Sequence, residues 1–203
     1  MKKLLIIMAL LIVAILYSNC SKNDNETIVL LGKEDYVLSI NDFIPDSLQS
    51  QINTEMGTMP RGYIPCNVEG GYIISEMILA HTNYAEINPN MEVIFKISNQ
   101  HNCVAQVEFQ EGTTTFTDTA YIMGNGQYFT LYFKEKKTTS YQTDMDRSVI
   151  ISGEKTDEGI RNIQYTSIIL DVEQSNNPFV VTFRPGWYFI YEDKDGLAEN
   201  YNP

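Results

Sequence analysis

Positive charge is scarce in this chain. Lys and Arg number 14 against 26 Asp and Glu, a formal charge of −12. So acidic a surface, with no basic run, repels phosphodiester backbones and anionic headgroups, which excludes nucleic acid as a partner. Histidine is scarcer still: His81 and His101 are the only two. Neither has further His or Cys at zinc-ligand spacing, so both read as polar turn residues rather than metal ligands. No Gly-x-Ser-x-Gly elbow and no phosphate-cradling glycine loop occurs. Carboxylates are so common that no single pair stands out as a glycosidase couple. With no nucleophile–base constellation to name, a non-enzymatic protein without cofactor or metal is expected. Long apolar runs are also lacking, with one exception at the N-terminus.

That exception runs unbroken from Leu4 to Leu16, 13 residues behind Lys2 and Lys3. A membrane-spanning helix needs roughly 20 apolar residues, so the run fits the core of an export signal better than a span. Cys20 follows, and then the polar string Ser21-Lys22-Asn23-Asp24-Asn25-Glu26. Over these 26 residues the chain resembles the signal region of bacterial lipoproteins, in particular surface lipoproteins of the Bacteroidota type. The resemblance implies cleavage before Cys20, lipid on its thiol, and an exported protein anchored to the outer membrane at the cell surface. Several acyl chains on one residue anchor stably, whereas a single chain does not. An ordinary secretory signal with an incidental Cys20 is the alternative.

The expected organisation is a signal peptide over 1–19, a tether over 20–33 and one β domain over 34–203. Losing Lys2 and Lys3 with the signal leaves 12 basic against 26 acidic residues, a formal charge of −14. The remaining 184 residues suffice for a single domain with a sizeable core. Two cysteines remain beyond Cys20. In an exported protein Cys66 and Cys103 are a candidate disulfide, and two separate small core residues are the other reading.

Helix signals are few. Pro45–Met56 is one: Pro suits the first turn, Asp46 sits near the positive end of the helix dipole, and Ile44, Leu48, Ile52 and Met56 form one apolar stripe. Gly57 then provides a stop. From Gly71 onward the pattern is β. Tyr72–His81 is apolar, whereas Met91–Ser98 and Cys103–Gln110 alternate with period two. Thr114–Met123 leads into the turn Gly124-Asn125-Gly126, and Gln127–Glu135 sets Phe129, Leu131 and Phe133 opposite Tyr128, Thr130 and Tyr132. Lys136–Arg147 reads as a polar connection. Ser148–Glu154, Ile160–Val172, Phe179–Arg184 and Trp187–Tyr191 complete the strands, and Glu192–Pro203 is an acidic, turn-rich tail.

About eight strands joined by short connections, with almost no helix for crossovers, predict an antiparallel meander. Such a meander closes into an up-and-down barrel or folds into a β-sandwich, and hairpin-like spacing favours the barrel. The short helix is placed to cap its open end. Over Gly70 to Tyr191 the arrangement looks like the calycin group, the lipocalin-like barrels. Gly70-Gly71-Tyr72 stands where those proteins carry Gly-x-Trp, and Arg184 is the candidate for the Arg that packs across it.

Three further features bear on function. Asp193-Lys194-Asp195-Gly196 is similar to part of a calcium loop, but place one of that loop falls on Tyr191, so a solvated turn is expected. Of 13 tyrosines, Tyr128 and Tyr132 share one strand face and form a candidate exposed pair for ligand or glycan stacking. Finally, Phe95, Phe109, Phe129, Leu131, Phe133 and Phe183 compete for the interior of an eight-stranded barrel, which is only just wide enough for side chains. A filled centre is expected, with any ligand held in a shallow mouth. The expected partners are the membrane, through lipid on Cys20, and a small ligand, a glycan or a surface protein. The expected role is a binding or scaffold module, or, in sandwich form, an accessory subunit of a surface complex.

Overall fold

A computed structural model describes residues 27–29, 37–57, 59–60, 62–84, 92–138, 144–173 and 183–202. Residues 1–26, Cys20 among them, lie outside these residues. Thr27–Val29 (β1) and Val37–Ser39 (β2) pair antiparallel as a small separate sheet. One 3-10 turn at Ile40–Asp42 leads to the α-helix α1, Asp46–Glu55. It lies within the expected Pro45–Met56, whose two end residues serve as its caps. Pro45 occupies the cap position, and Gly57 turns the chain with φ +72°.

The remaining strands are β3 (Tyr63–Pro65), β4 (Gly70–Ile74), β5 (Met77–Thr82), β6 (Val93–His101), β7 (Val104–Glu111), β8 (Thr114–Gly126) and β9 (Tyr128–Thr138). After them come β10 (Asp144–Lys155), β11 (Gly159–Val172), β12 (Tyr188–Asp193) and β13 (Leu197–Asn200). Eight of these close into a ring in the order β4-β6-β7-β8-β9-β10-β11-β13, with β13 returning to β4. The predicted antiparallel barrel is therefore what forms, and the sandwich is not: Tyr72 pairs with Asn200 and Ile73 with Glu199, so no open edge separates two sheets. The ring is unevenly built. β9 and β10 share eleven residue pairs, whereas β4 and β13 share two.

Two kinks explain the short seam. Ser75-Glu76 interrupts β4 before β5, and Lys194-Asp195-Gly196 interrupts β12 before β13. The kinks face each other: the Lys194 backbone N–H donates to the Glu76 carbonyl at 3.0 Å, and its Nζ reaches Glu76 Oε2 at 2.6 Å. Beyond them β5 and β12 pair with each other. β13 lies in the stretch read as an acidic tail. Its role is set by partners on either side, β11 and β4, rather than by an apolar pattern of its own.

Period two sorts the side chains cleanly. Phe95, Phe109, Phe129, Leu131 and Phe133 all enter one fully buried inner cluster with Val107, Val149, Ile151, Ile163 and Tyr165, and Phe183 packs against its edge. Phe109 alone contacts Phe116, Phe133 and Tyr165, with ring centroids 5.3–5.9 Å apart. The centre is filled.

A second buried cluster lies on the opposite side of the wall. Outward-facing Met123, Tyr132, Ile150, Ile168, Tyr188 and Ile190 meet Phe43, Ile44, Leu48, Ile52, Met56 and Met59. The helix thus lies along the outer wall and does not cap an end. A helix of ten residues is marginal in water, and its stripe needs an apolar surface to cover. β8 to β12 supply one, and burying Ile44 or Ile52 there contributes roughly 1.5–3 kcal/mol each.

Candidate binding site

Two polar sites stand out among the described residues, one inside the barrel and one outside. Inside, Arg147 is buried between two buried carboxylates, Glu111 and Glu135, and donates to both from Nη2 and Nε. Its Nη1 lies 3.4 Å from Ser167 Oγ, and its guanidinium stands over the Phe109 ring, 5.9 Å from the centroid. Burial works against the Arg147 charge, but Tyr165, Glu111 and Glu135 around it hold its pKa above the ordinary value. Burial likewise pushes the Tyr165 hydroxyl well up, and Tyr191 beside it to about 12. The trio ties β10 to β9 and, across the interior, to β7.

Lys136–Arg147 reads as a polar connection, which hides Arg147, while Glu111 and Glu135 stand at or just beyond the ends of their expected strands. A signal existed. Glu111 continues the inward row Ala105, Val107, Phe109; Glu135 continues Phe129, Leu131, Phe133; and Arg147 precedes Val149 and Ile151 at the same parity. Three charges at inward positions demand mutual pairing.

Outside, a cleft of about 460 Å³ is lined by Gly70, Gly71, Ile94, Lys96, Glu108, Gln110, Tyr201 and Asn202. Its floor follows from register. Gly71 pairs with Lys96, Lys96 with Glu108, and Glu108 with Thr117, so one outward row crosses four strands. Gly71 leaves a gap in that row. The chain after β13 fills its far side, where the Tyr201 N–H donates to the Gly71 carbonyl at 2.8 Å. A Cβ on Gly71 would stand 2.2 Å from the Tyr201 carbonyl oxygen, so only glycine lets the tail cross here. Lys96 and Glu108, directly opposed and exposed, form no ion pair with each other.

The residues singled out in the sequence fall elsewhere. Tyr128 is 53% exposed, but Tyr132 is fully buried, so the two are no exposed pair. Phe43 and Met59 explain the difference: Phe43 packs on the Tyr132 ring at 5.5 Å, and the Tyr132 hydroxyl points to Met59 Sδ at 3.9 Å. Cys66 and Cys103 are both free thiols and not a disulfide. They belong to different sides of the wall. Cys66 packs on the inner cluster and donates to the Gln127 carbonyl, whereas Cys103 sits in the outer cluster and donates to the Tyr63 carbonyl. Burial raises the pKa of both.

Arg184, the expected cation, is exposed. The cation over the buried Tyr72 ring is Lys155, with Nζ 5.1 Å from the centroid. His81 and His101 are exposed. Asp193 to Gly196 form the tight kink between β12 and β13, where Leu197 N–H donates to Asp195 Oδ1 at 3.0 Å. No group of three or more metal-ligating side chains occurs among the described residues, and none of their helices is long and apolar enough to cross a membrane. No protein-family model, curated protein or solved structure matches the chain.

Proposed function

We propose that this chain is an exported, lipid-anchored, non-enzymatic lipoprotein of the outer membrane, and that its β-barrel is a binding module whose ligand surface is the outer wall. One observation carries the binding part: a filled barrel centre coexists with a cleft of about 460 Å³ outside it, within the size range of small-ligand sites. Anchoring rests on Lys2-Lys3, the apolar run Leu4–Leu16 and Cys20. The ring of eight strands and the buried Tyr72 under a cation fit the calycin resemblance, with the ligand displaced from the interior. The membrane part is tested by fractionation: Cys20→Ala moves the protein out of the membrane fraction, and retention of the variant overturns lipid attachment. The binding part is tested with the apolar probe N-phenyl-1-naphthylamine. The filled interior takes up none, and bright saturable uptake would return the site to the barrel centre.

A second reading has an observation of its own. Ile64 pairs with Asn125 and Asn125 with Tyr128, and Ile64 and Tyr128 are 79% and 53% exposed. Tyr63 beside them is 46% exposed. An apolar tip of this kind suits an accessory subunit docking on another surface protein. Ile64→Asp abolishes cross-linking to that neighbour in intact cells if this role holds, and leaves it unchanged if it does not.

A further inference from the structure

The outer cleft combines features that narrow the class of ligand. Its charged groups are one cation and one anion, Lys96 and Glu108, held opposite each other by register. Their charges cancel, and the acidic chain around them disfavours an anion. What remains is a donor beside an acceptor, repeated by the Asn202 amide; the Gln110 amide also lines the cleft, with its Nε2 donating to the Gly112 carbonyl at 3.0 Å. Hydroxyl groups both donate and accept, so vicinal diols match such a row. Tyr201 and Ile94, both half-buried, add apolar surface for the C–H face of a ring. An extended peptide is disfavoured for a separate reason. β4, β6 and β7 have neighbours on both edges at this level, so no backbone edge is open to strand addition.

We infer that the cleft over β4, β6 and β7 binds a neutral saccharide, with Lys96 and Glu108 gripping adjacent hydroxyls and Tyr201 flanking the ring. The inference rests on the binding-module reading and specifies its ligand. Its test uses the full lipidated chain in nanodiscs, isotopically labelled and titrated while backbone amides are followed by NMR. The probes are cellobiose, maltose and chitobiose as neutral saccharides, digalacturonate as an anionic one, and trialanine as a peptide.

The expected result is movement of the Gly70, Gly71, Ile94 and Lys96 amides with at least one neutral disaccharide, at a dissociation constant of about 0.1–10 mM. Glu108→Gln and Tyr201→Ala each weaken it tenfold or more. Lys96→Met, like Glu108→Gln, changes an exposed side chain, so these two variants carry the test if Tyr201→Ala disturbs the tail. If the neutral disaccharides leave those amides unmoved, or bind the variants as well as the native chain, the inference is overturned. Should digalacturonate or trialanine alone shift the cleft, the binding module stands and the saccharide falls. If no probe moves it, both fall.

Discussion

The two halves of the barrel wall share an inner core but differ outside. From β9 to β12 the outward residues Tyr132, Ile150, Ile168 and Ile190 are buried under α1 and the chain beside it, so the wall is apolar on both faces. From β4 to the first part of β8 the outward residues Lys96, Gln106, Glu108 and Thr117 face solvent, whereas Tyr121 and Met123 at the far end of β8 belong with the covered half. The covered half also has the long seams, eleven pairs between β9 and β10 and ten between β10 and β11. Stability is thereby concentrated on one side, and the other is left free to carry a site. A strand buried on both faces cannot change its outer residues without disturbing packing, whereas a bare strand can.

The sharpest break in that contrast lies where the halves meet inside. Arg147→Met strands two buried carboxylates, and it should cost about 3–5 kcal/mol in urea unfolding. Adding Glu111→Gln and Glu135→Gln should recover much of that loss, because only the unpaired charge makes the single change severe. A matched pair on one strand comes next. Tyr132→Ala should cost about 3–5 kcal/mol, like other large buried rings, while Tyr128→Ala stays within about 0.5 kcal/mol.

The same comparison across the wall sets Ile150→Ala, at about 2–5 kcal/mol, against Ile94→Ala, at less than about 1 kcal/mol. Equal losses from the two isoleucines would mean that the outer cluster contributes nothing. A smaller effect depends on pH. Burial first, and then Asp195, raise the Asp193 pKa to about 6 from its unfolded value near 3.8. The folded state therefore holds this proton more tightly. The resulting stabilisation is complete below about pH 4 and is lost as pH rises through 6. Asp193→Asn should thus stabilise the protein by about 1–2 kcal/mol at pH 8 and by nothing at pH 3.5. Melting curves at the two values check it.

How much of this was legible depended on whether a residue's partners were local. The strands around Phe95, Phe109 and Phe129 were, because one buried face writes period two directly into the sequence. The helix bounds were, through Pro45 and Gly57. Its docking surface was not: a stripe states that a partner exists without saying which strands provide it. Arg147 is hidden by the polar-looking run around it, and only the inward parity it shares with Val149 and Ile151 points to the carboxylates on β7 and β9. Tyr132 was placed on the correct face of β9, but nothing nearby in sequence said that Phe43 covers it. The cleft was unreadable in principle, since it arises from a missing side chain at Gly71 and a tail that arrives from the far end of the domain.

The pairing of β4 with β13 sets an order of events. Its partners, Tyr72–Ile73 and Glu199–Asn200, stand near opposite ends of the domain, so the entropy of bringing them together falls due only after everything between has been made. Every other seam of the ring joins strands that are adjacent in the chain or separated by one short strand, β5 between β4 and β6 and β12 between β11 and β13; the comparable long-range pairing, β5 with β12, lies outside the ring. A chain that emerges N-terminus first during synthesis can lay down β6 to β11 as successive hairpins while its first barrel strand still waits for an edge. Until residues 197–200 emerge, that edge is exposed and adhesive. The last step of folding is therefore also the one that makes the molecule safe from its neighbours, and shortening the C-terminus by a handful of residues should yield aggregation rather than a slightly weaker barrel.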